Sequence, residues 1–407
     1  MRKIVLDLSL VASSVFIAML CFEFILRMVP SLMDPPVIIS FPPNLRSEIA
    51  RRLHLPTSQD RVLIKTSERS DAGPEFFLYL PNSVYEVLLE DIDLEVGGKS
   101  YMKLDARGFC NPPDKAKRAA NDMLFIGDSM TFCFSVAPED TFSDLLEAQT
   151  GISTYNLAAT AIGPYEALEV LRRSGLSLHP RVVVLGISGN DLRDVIRFQK
   201  FKVGEWHGTR DVPPGGLYRY SYALSYLRGQ VLVVKSILKS TSAPNARFQM
   251  TLNGRTWNFN LRNRDHDEPE FAKQITDDKI SPHVFQPLLV EFARMAKEHH
   301  FVPVVLFLPS SFMAYDKLIR YEDEEIGEDF RKFSTEQRRW LKQTTQQLDM
   351  DYFDLTPNFQ AEVATQPIAF FPDNRHYTSI GHRITANALA RELKQFVHPR
   401  LPGSTSE

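Results

Sequence analysis

Cysteine is scarce in this sequence: 407 residues carry only Cys21, Cys110 and Cys133. That excludes a disulfide-built scaffold and a cysteine-rich zinc site. Cys21 sits in an apolar run near the N-terminus. Cys110 and Cys133 are compatible with one disulfide in an oxidising compartment, or with two free thiols. An excess of one charge is also lacking. The net charge of -3 gives no basis for nucleic-acid binding, and no nucleic-acid motif occurs. Low-complexity composition is absent too: 43% hydrophobic and 24% charged residues are an ordinary globular balance. No catalytic pattern occurs before residue 120.

What is present begins at the N-terminus. Arg2 and Lys3 precede a mostly apolar stretch, 4–29, whose uncharged centre is 8–22. The centre alone is shorter than the roughly 20 residues that cross hydrocarbon. Asp7 and Glu23 lie near its ends, where side chains reach the headgroups, so the wider stretch is long enough. No small-x-small cleavage site follows, and Glu23, Phe24 and Arg27 suit an uncleaved anchor better than a cleaved signal peptide. A buried soluble helix is the third reading. The leading positive charges keep the N-terminus in the cytoplasm and put the rest outside, in a periplasm or its equivalent. The expected division is a membrane anchor over 1–30, a linker and lead-in over 31–120, and a catalytic domain over 121–400. Pro35, Pro36, Pro42 and Pro43 mark the linker, and 84–96 reads as one or two strands.

From residue 122 short apolar runs alternate with helical stretches. The expected strands are 123–126, 154–159, 182–187, 302–308 and 350–355; the expected helices are 141–149, 165–174, 284–299, 335–348 and 380–396. This alternation predicts an α/β fold with a parallel sheet covered on both faces. The stretch 197–280 interrupts it and is too long for an ordinary connection. Between Arg197 and Arg264 it holds twelve Lys or Arg against two acids, Glu205 and Asp211. It reads either as an insertion with solvated charges or as a lid or platform for an anionic polymer or membrane headgroups.

Ser129 stands in Gly127-Asp128-Ser129, just past the apolar run MLFI. Ligands of open parallel sheets bind beyond the carboxyl ends of strands, so this serine is displayed at the right edge. Its hydroxyl needs a base, usually a histidine oriented by a carboxylate. Asp373-Asn374-Arg375-His376 supplies both types ahead of the last helix. Gly189-Asn190-Asp191 follows the strong run VVVLGI, so Asn190 shares the edge with Ser129 and its amide suits a developing oxyanion. His299, His300 and His382 lack a carboxylate partner and read as surface-loop histidines.

Together these segments resemble the SGNH hydrolases, also called the GDSL esterase/lipase superfamily. IGDSMTFCFSVAPEDTF resembles block I, YNLAATAIGPYEAL block II, VVVLGISGND block III and DNRHYTSIGHRITANALA block V. The likeness covers 120–198 and 300–396. LDARGFCNPP, 104–113, looks like a short segment of membrane-attached members. The resemblance implies a three-layer α/β/α sandwich with a mainly parallel, five-stranded flavodoxin-like sheet, here with an N-terminal transmembrane helix and a large insertion. It implies that Ser129 attacks an ester carbonyl, His376 takes its proton and Asp373 orients His376. Implied oxyanion donors are the Ser129 N–H, the N–H at Ala161 and the Asn190 side chain. No metal or cofactor is implied. The sequence departs from the pattern at Ala161, where block II has glycine, and at Cys133, often glycine in related sequences. The implied substrate is an acyl ester of a carbohydrate or lipid, anionic if the insertion serves as its platform. O-acyl transfer to an extracytoplasmic polysaccharide shares the same acyl-serine. A catalytically inactive binding or scaffold protein is the reading that Ala161 and the insertion motivate.

Overall fold

The computed structural model describes residues 2–33, 37, 41, 42, 45, 48, 49, 52, 53, 61–64, 76–79, 81–88, 99–134, 136–203, 216–242, 247–252, 254–260, 267–277, 279–321, 323–365, 368–370 and 376–400. It contains two compact units, Met1–Arg61 with Arg210–Ala243, and Val62–Thr209 with Pro244–Glu407. The principal elements in chain order are α1 (Arg2–Met28), β1 (Met123–Ile126), α2 (Phe142–Thr150), β2 (Thr154–Asn156), α3 (Pro164–Val170), β3 (Val182–Ser188), α4 (Asp191–Lys202) and α5 (Tyr222–Ser242). They continue with β4 (Arg247–Leu252), β5 (Arg255–Asn260), α6 (Asp267–Thr276), α7 (Gln286–His299), β6 (Val302–Leu308), β7 (Ile319–Tyr321), α8 (Glu324–Gln347), β8 (Asp351–Asp354) and α9 (Ser379–Arg400).

The larger unit is built on a five-stranded sheet of order β8-β6-β3-β1-β2. Every pairing in it is parallel. All of β1 and β3 is buried, which is why both read as unbroken apolar runs: a sheet covered on both faces has no wet side to encode. In sequence order the strands stand 2-1-3-4-5, the flavodoxin-like order, and the direction of winding reverses between β1 and β3. The segments after those two strands therefore flank the crevice where this topology places ligands.

Local signals set the helix ends. Thr141 caps α2 by accepting from the Asp144 N–H at 3.4 Å, and Gly151 closes it at φ 73°. α8 begins at Glu324 under an Asp323 cap, well before the expected 335. Its first turns, EEIGEDFRKF, are dominated by charge, so the apolar period starts late although the backbone is already helical. β2 ends at Asn156 rather than 159 because the Asn156 side chain accepts from the Ala158 N–H at 3.0 Å and turns the chain away. In 84–96, Val84–Leu88 is a strand paired with Lys99–Lys103; 89–96 lies outside the described residues.

The insertion is divided. Its part 210–243 belongs to the smaller unit, while β4, β5 and α6 belong to the larger. There β4 pairs with β5 and with β7 in a three-stranded antiparallel sheet. In the smaller unit Leu26, Met33, Val37, Phe41, Leu45, Ile49 and Tyr222 form a buried cluster. Within α1 the segment Ser9–Met28 has a mean hydropathy of 2.2 and is long and apolar enough to cross a membrane.

His382 is not the surface-loop histidine that the sequence suggests. It is 1% exposed on α9, and its Nδ1 accepts from the Phe142 N–H at 3.2 Å, the first turn of α2. A helix start leaves such N–H groups without intrahelical partners, so a neutral imidazole serves as acceptor here. Burial holds its pKa down at about 3. A depressed histidine stabilises the fold above its unfolded pKa near 6.5 and loses that contribution as the pH falls toward its folded value. We expect the larger unit to lose about 2–3 kcal/mol from this group between pH 6.5 and 4.5. Guanidinium unfolding of wild type and His382→Gln across that range checks it: the variant should be less stable at pH 7 but show a shallower acid slope. Parallel slopes would contradict it.

Candidate active site

The turn after β1 is shaped by three side chains and two glycines. Asp128 is buried, and its Oδ1 accepts from the Met130 N–H at 2.9 Å. The Asp128 carbonyl accepts from Thr131 and Phe132, which curls residues 128–132 into a tight turn with Ser129 at its apex. Thr131 packs where no Cβ fits: one added at Gly127 would lie 2.4 Å from its Oγ1, and one at Gly186 in β3 would lie 2.2 Å away. Asn156, at the end of β2, donates from Nδ2 to the Thr131 carbonyl at 2.8 Å. The Ser129 turn is thus held against both neighbouring strands.

The lead-in segment braces the same turn. Asp105 is 1% exposed and accepts from Arg107 N–H, Phe109 N–H, Asn111 Nδ2 and the Tyr155 hydroxyl. Asn111 exchanges two hydrogen bonds with the backbone of Asn156, at 2.8 and 3.0 Å. Cys110 and Cys133 form a disulfide with Cα atoms 6.1 Å apart. Of the two alternatives open from the sequence, the pair is bonded, and Cys133 is no free thiol.

His376 stands just ahead of α9, and its Nε2 is 2.8 Å from the Ser129 Oγ. Both side chains are half-buried. The Phe134 ring stacks on the imidazole at 4.0 Å between centroids and 22° between planes. Asp373 lies outside the described residues.

Asn190 sits at the start of α4 and is 3% exposed. Its Oδ1 accepts from the Ser188 hydroxyl at 2.7 Å, which fixes the amide so that Nδ2 donates to Asp128 Oδ2 at 3.3 Å. The segments after β1 and β3 are thereby joined across the switch point. Asp191 beside it is fully buried and accepts from the Ser188 N–H at 2.7 Å. Burial, reinforced by the neighbouring Asp128 carboxylate, holds its carboxyl well above the usual range. That favours a neutral Asp191 and limits negative charge beside the serine.

Ala161 adopts φ 60°. This left-handed backbone is open to glycine at no steric cost and costs an alanine about 1–2 kcal/mol. Alanine is held here in a conformation that glycine would adopt freely.

Three neighbours of the site escaped the sequence reading. Phe134 carried no signal. Gly186 did: a glycine inside an apolar strand marks close approach of another segment. Glu268 of α6 is buried, and a Cβ added at Gly189 would lie 3.0 Å from its carboxylate. What the basic insertion brings to the Gly189-Asn190-Asp191 turn is an acid. Among the described residues no group of three His, Cys, Asp or Glu side chains is arranged to hold a metal ion.

Solved structures similar to this chain include a lipase/acylhydrolase from Enterococcus faecalis, with 11% identity, 70% of this chain and 98% of that chain covered, and a TM-score of 0.35. A mutant of Axe2, an acetyl-xylooligosaccharide esterase from Geobacillus stearmophilus, has 14% identity, coverage of 68% and 95%, and a TM-score of 0.36. The acetyl xylan esterase AlAXEase has 15% identity, coverage of 67% and 98%, and a TM-score of 0.35. No family model matches the sequence, and no curated protein matches it significantly.

Ala161→Gly should raise stability by roughly 0.5–1 kcal/mol: the left-handed alanine is strained by about 1–2 kcal/mol, and glycine's greater unfolded-state entropy takes back about 0.5–1 kcal/mol. Guanidinium midpoints of the two proteins measure it. An unchanged or lowered midpoint would remove strain from the description of this turn.

Proposed function

We propose that this chain is a serine ester hydrolase of the SGNH type, held at a membrane by α1, that removes an acyl group from a carbohydrate or lipid outside the cytoplasm. The observation that carries the reading is the 2.8 Å contact between the Ser129 hydroxyl and His376 Nε2 at the switch point of a parallel sheet. A neutral imidazole there accepts the hydroxyl proton as Oγ attacks the ester carbonyl. The resulting imidazolium returns that proton to the leaving alkoxide, and an acyl-serine remains. Water, deprotonated by the same imidazole, then attacks the acyl carbon and releases the acid and the free serine.

Asp373, three residues before His376, is the proposed carboxylate that orients the imidazole. The tetrahedral oxyanion needs preorganised donors. The Ser129 and Ala161 N–H groups and the Asn190 amide are the proposed set. One Asn190 N–H is directed to Asp128, and the amide nitrogen carries a second. Phe134 is proposed as a positioning residue: its ring supports the face of the imidazole and favours the cation formed in the transition state. The Cys110–Cys133 disulfide supports an oxidising, extracytoplasmic setting. The charges Arg2 and Lys3 at the start of α1 support a cytoplasmic N-terminus. Acyl transfer to a sugar hydroxyl would proceed through the same acyl-serine, and product analysis with added acceptors separates the two outcomes.

Turnover of p-nitrophenyl acetate tests the assignment. Ser129→Ala should reduce kcat/KM by roughly 10⁴-fold or more; retention of activity within tenfold would sink it. Phe134→Ala should lower kcat on the order of 10-fold with little change in KM, and Phe134→Tyr should recover most of the loss. A purely structural role would instead lower stability in both variants and leave kcat per folded molecule intact.

A further inference from the structure

The smaller unit contains a second helix whose surface the proposed chemistry does not use. Glu23, near the end of the apolar segment of α1, caps the start of α5. Its carboxylate accepts from the Tyr222 N–H at 3.1 Å, the Ala223 N–H at 2.7 Å and the Ser221 hydroxyl at 2.9 Å. Arg27 pairs with the same carboxylate at 2.7 Å, and its guanidinium lies over the Tyr222 ring at 4.7 Å. Phe22 meets Tyr226 edge-on at 5.6 Å. As α5 advances from 222 to 226, its partner on α1 recedes from 27 to 22. The two helices therefore run antiparallel at their junction, and α5 starts back alongside the apolar part of α1.

A carboxylate near the end of a membrane span is costly unless paired. Here the pairing groups are the first turn of α5 and Arg27, so α5 begins at whatever depth Glu23 occupies. The two faces of α5, one buried and one exposed, suit such a position. Tyr222, Tyr226 and Val233 face the buried cluster of the unit. On the far side, at i, i+4 and i+7, Leu227, Val231 and Val234 are 45%, 53% and 51% exposed. Arg228 and Lys235, also seven residues apart, border that apolar stripe. An apolar stripe flanked by long basic side chains is the pattern of a helix lying in a lipid interface.

We infer that α5 is an interfacial membrane helix: its Leu227–Val231–Val234 stripe enters the acyl-chain boundary of a phospholipid bilayer, and Arg228 and Lys235 meet lipid phosphates. The occupant is lipid, since the stripe belongs to the same unit as the exposed apolar side chains Phe16, Leu20 and Phe24 of α1 and is tied to them through Glu23. The inference rests on the reading of α1 as a span.

Full-length protein in vesicles of phosphatidylcholine and phosphatidylglycerol, with and without doxyl-labelled lipid, tests it by bimane quenching. The native free thiol Cys21, exposed on α1, reports on the span. Val231→Cys and Val234→Cys, each in a Cys21→Ser background, report on α5, and Glu328→Cys in the same background reports on an exposed position of the larger unit. The expected result is loss of emission at 21, 231 and 234 on adding doxyl lipid, with none at 328. Quenching at 21 but not at 231 or 234 overturns the inference for α5 while keeping the span. Absence of quenching at 21, 231 and 234 overturns both. If 231 and 234 are shielded from water yet unquenched, and oxidation links Val231→Cys chains into dimers, a second copy covers the stripe and the inference is also wrong.

Discussion

One hydrogen bond, between the Ser129 hydroxyl and His376 Nε2, joins positions 247 residues apart in the chain. A contact of this kind contributes only about 1 kcal/mol net, so it cannot hold itself in place. Its two ends are positioned by independent structures. Ser129 rides on a turn wedged between Gly127 and Gly186 by Thr131, held by Asn156 and tied by a disulfide to the lead-in segment. His376 leads into α9 between Phe134, which backs its ring, and the buried Tyr377 that precedes the helix, while His382 buries the helix's first turn. The geometry between serine and histidine is thus inherited from a sheet edge and a terminal helix.

The same edge concentrates charge, and the fold manages it. Asp128, Asp191 and Glu268 are all buried. Ser188 and Asn190 spread hydrogen bonds between the first two, and burial beside Asp128 favours a neutral Asp191. The proposed oxyanion site is served by reducing the negative charge around it. Glu268 comes from the insertion and sits against Gly189, so a third buried acid lies beside the same turn.

The sheet was legible in the sequence because parallel strands buried on both faces leave unbroken apolar runs; 123–126 and 302–308 match their strands end to end. The placement of Ser129 and Asn190 followed from the same signal, since each stands just past such a run. Other features had no periodic mark. The start of α8 hides among charged residues, and the stacking of Phe134 on His376 depends on a turn geometry that no spacing encodes. His382 was misread because a histidine without a carboxylate resembles a surface residue; its partner is a backbone N–H 240 positions away. The division of the insertion was equally hidden, since Glu23 and the start of α5 meet only in the folded chain. Ala161 could be flagged as a departure, but its positive φ is a property of the fold alone.

The proposed chemistry depends on Ser129 as the activated hydroxyl. Its most direct test is peptide mass spectrometry of the protein after exposure to a fluorophosphonate. A single phosphonyl adduct on Ser129 is expected, formed far more slowly in His376→Gln. An adduct on a different residue, or none on active wild-type protein, would contradict the account.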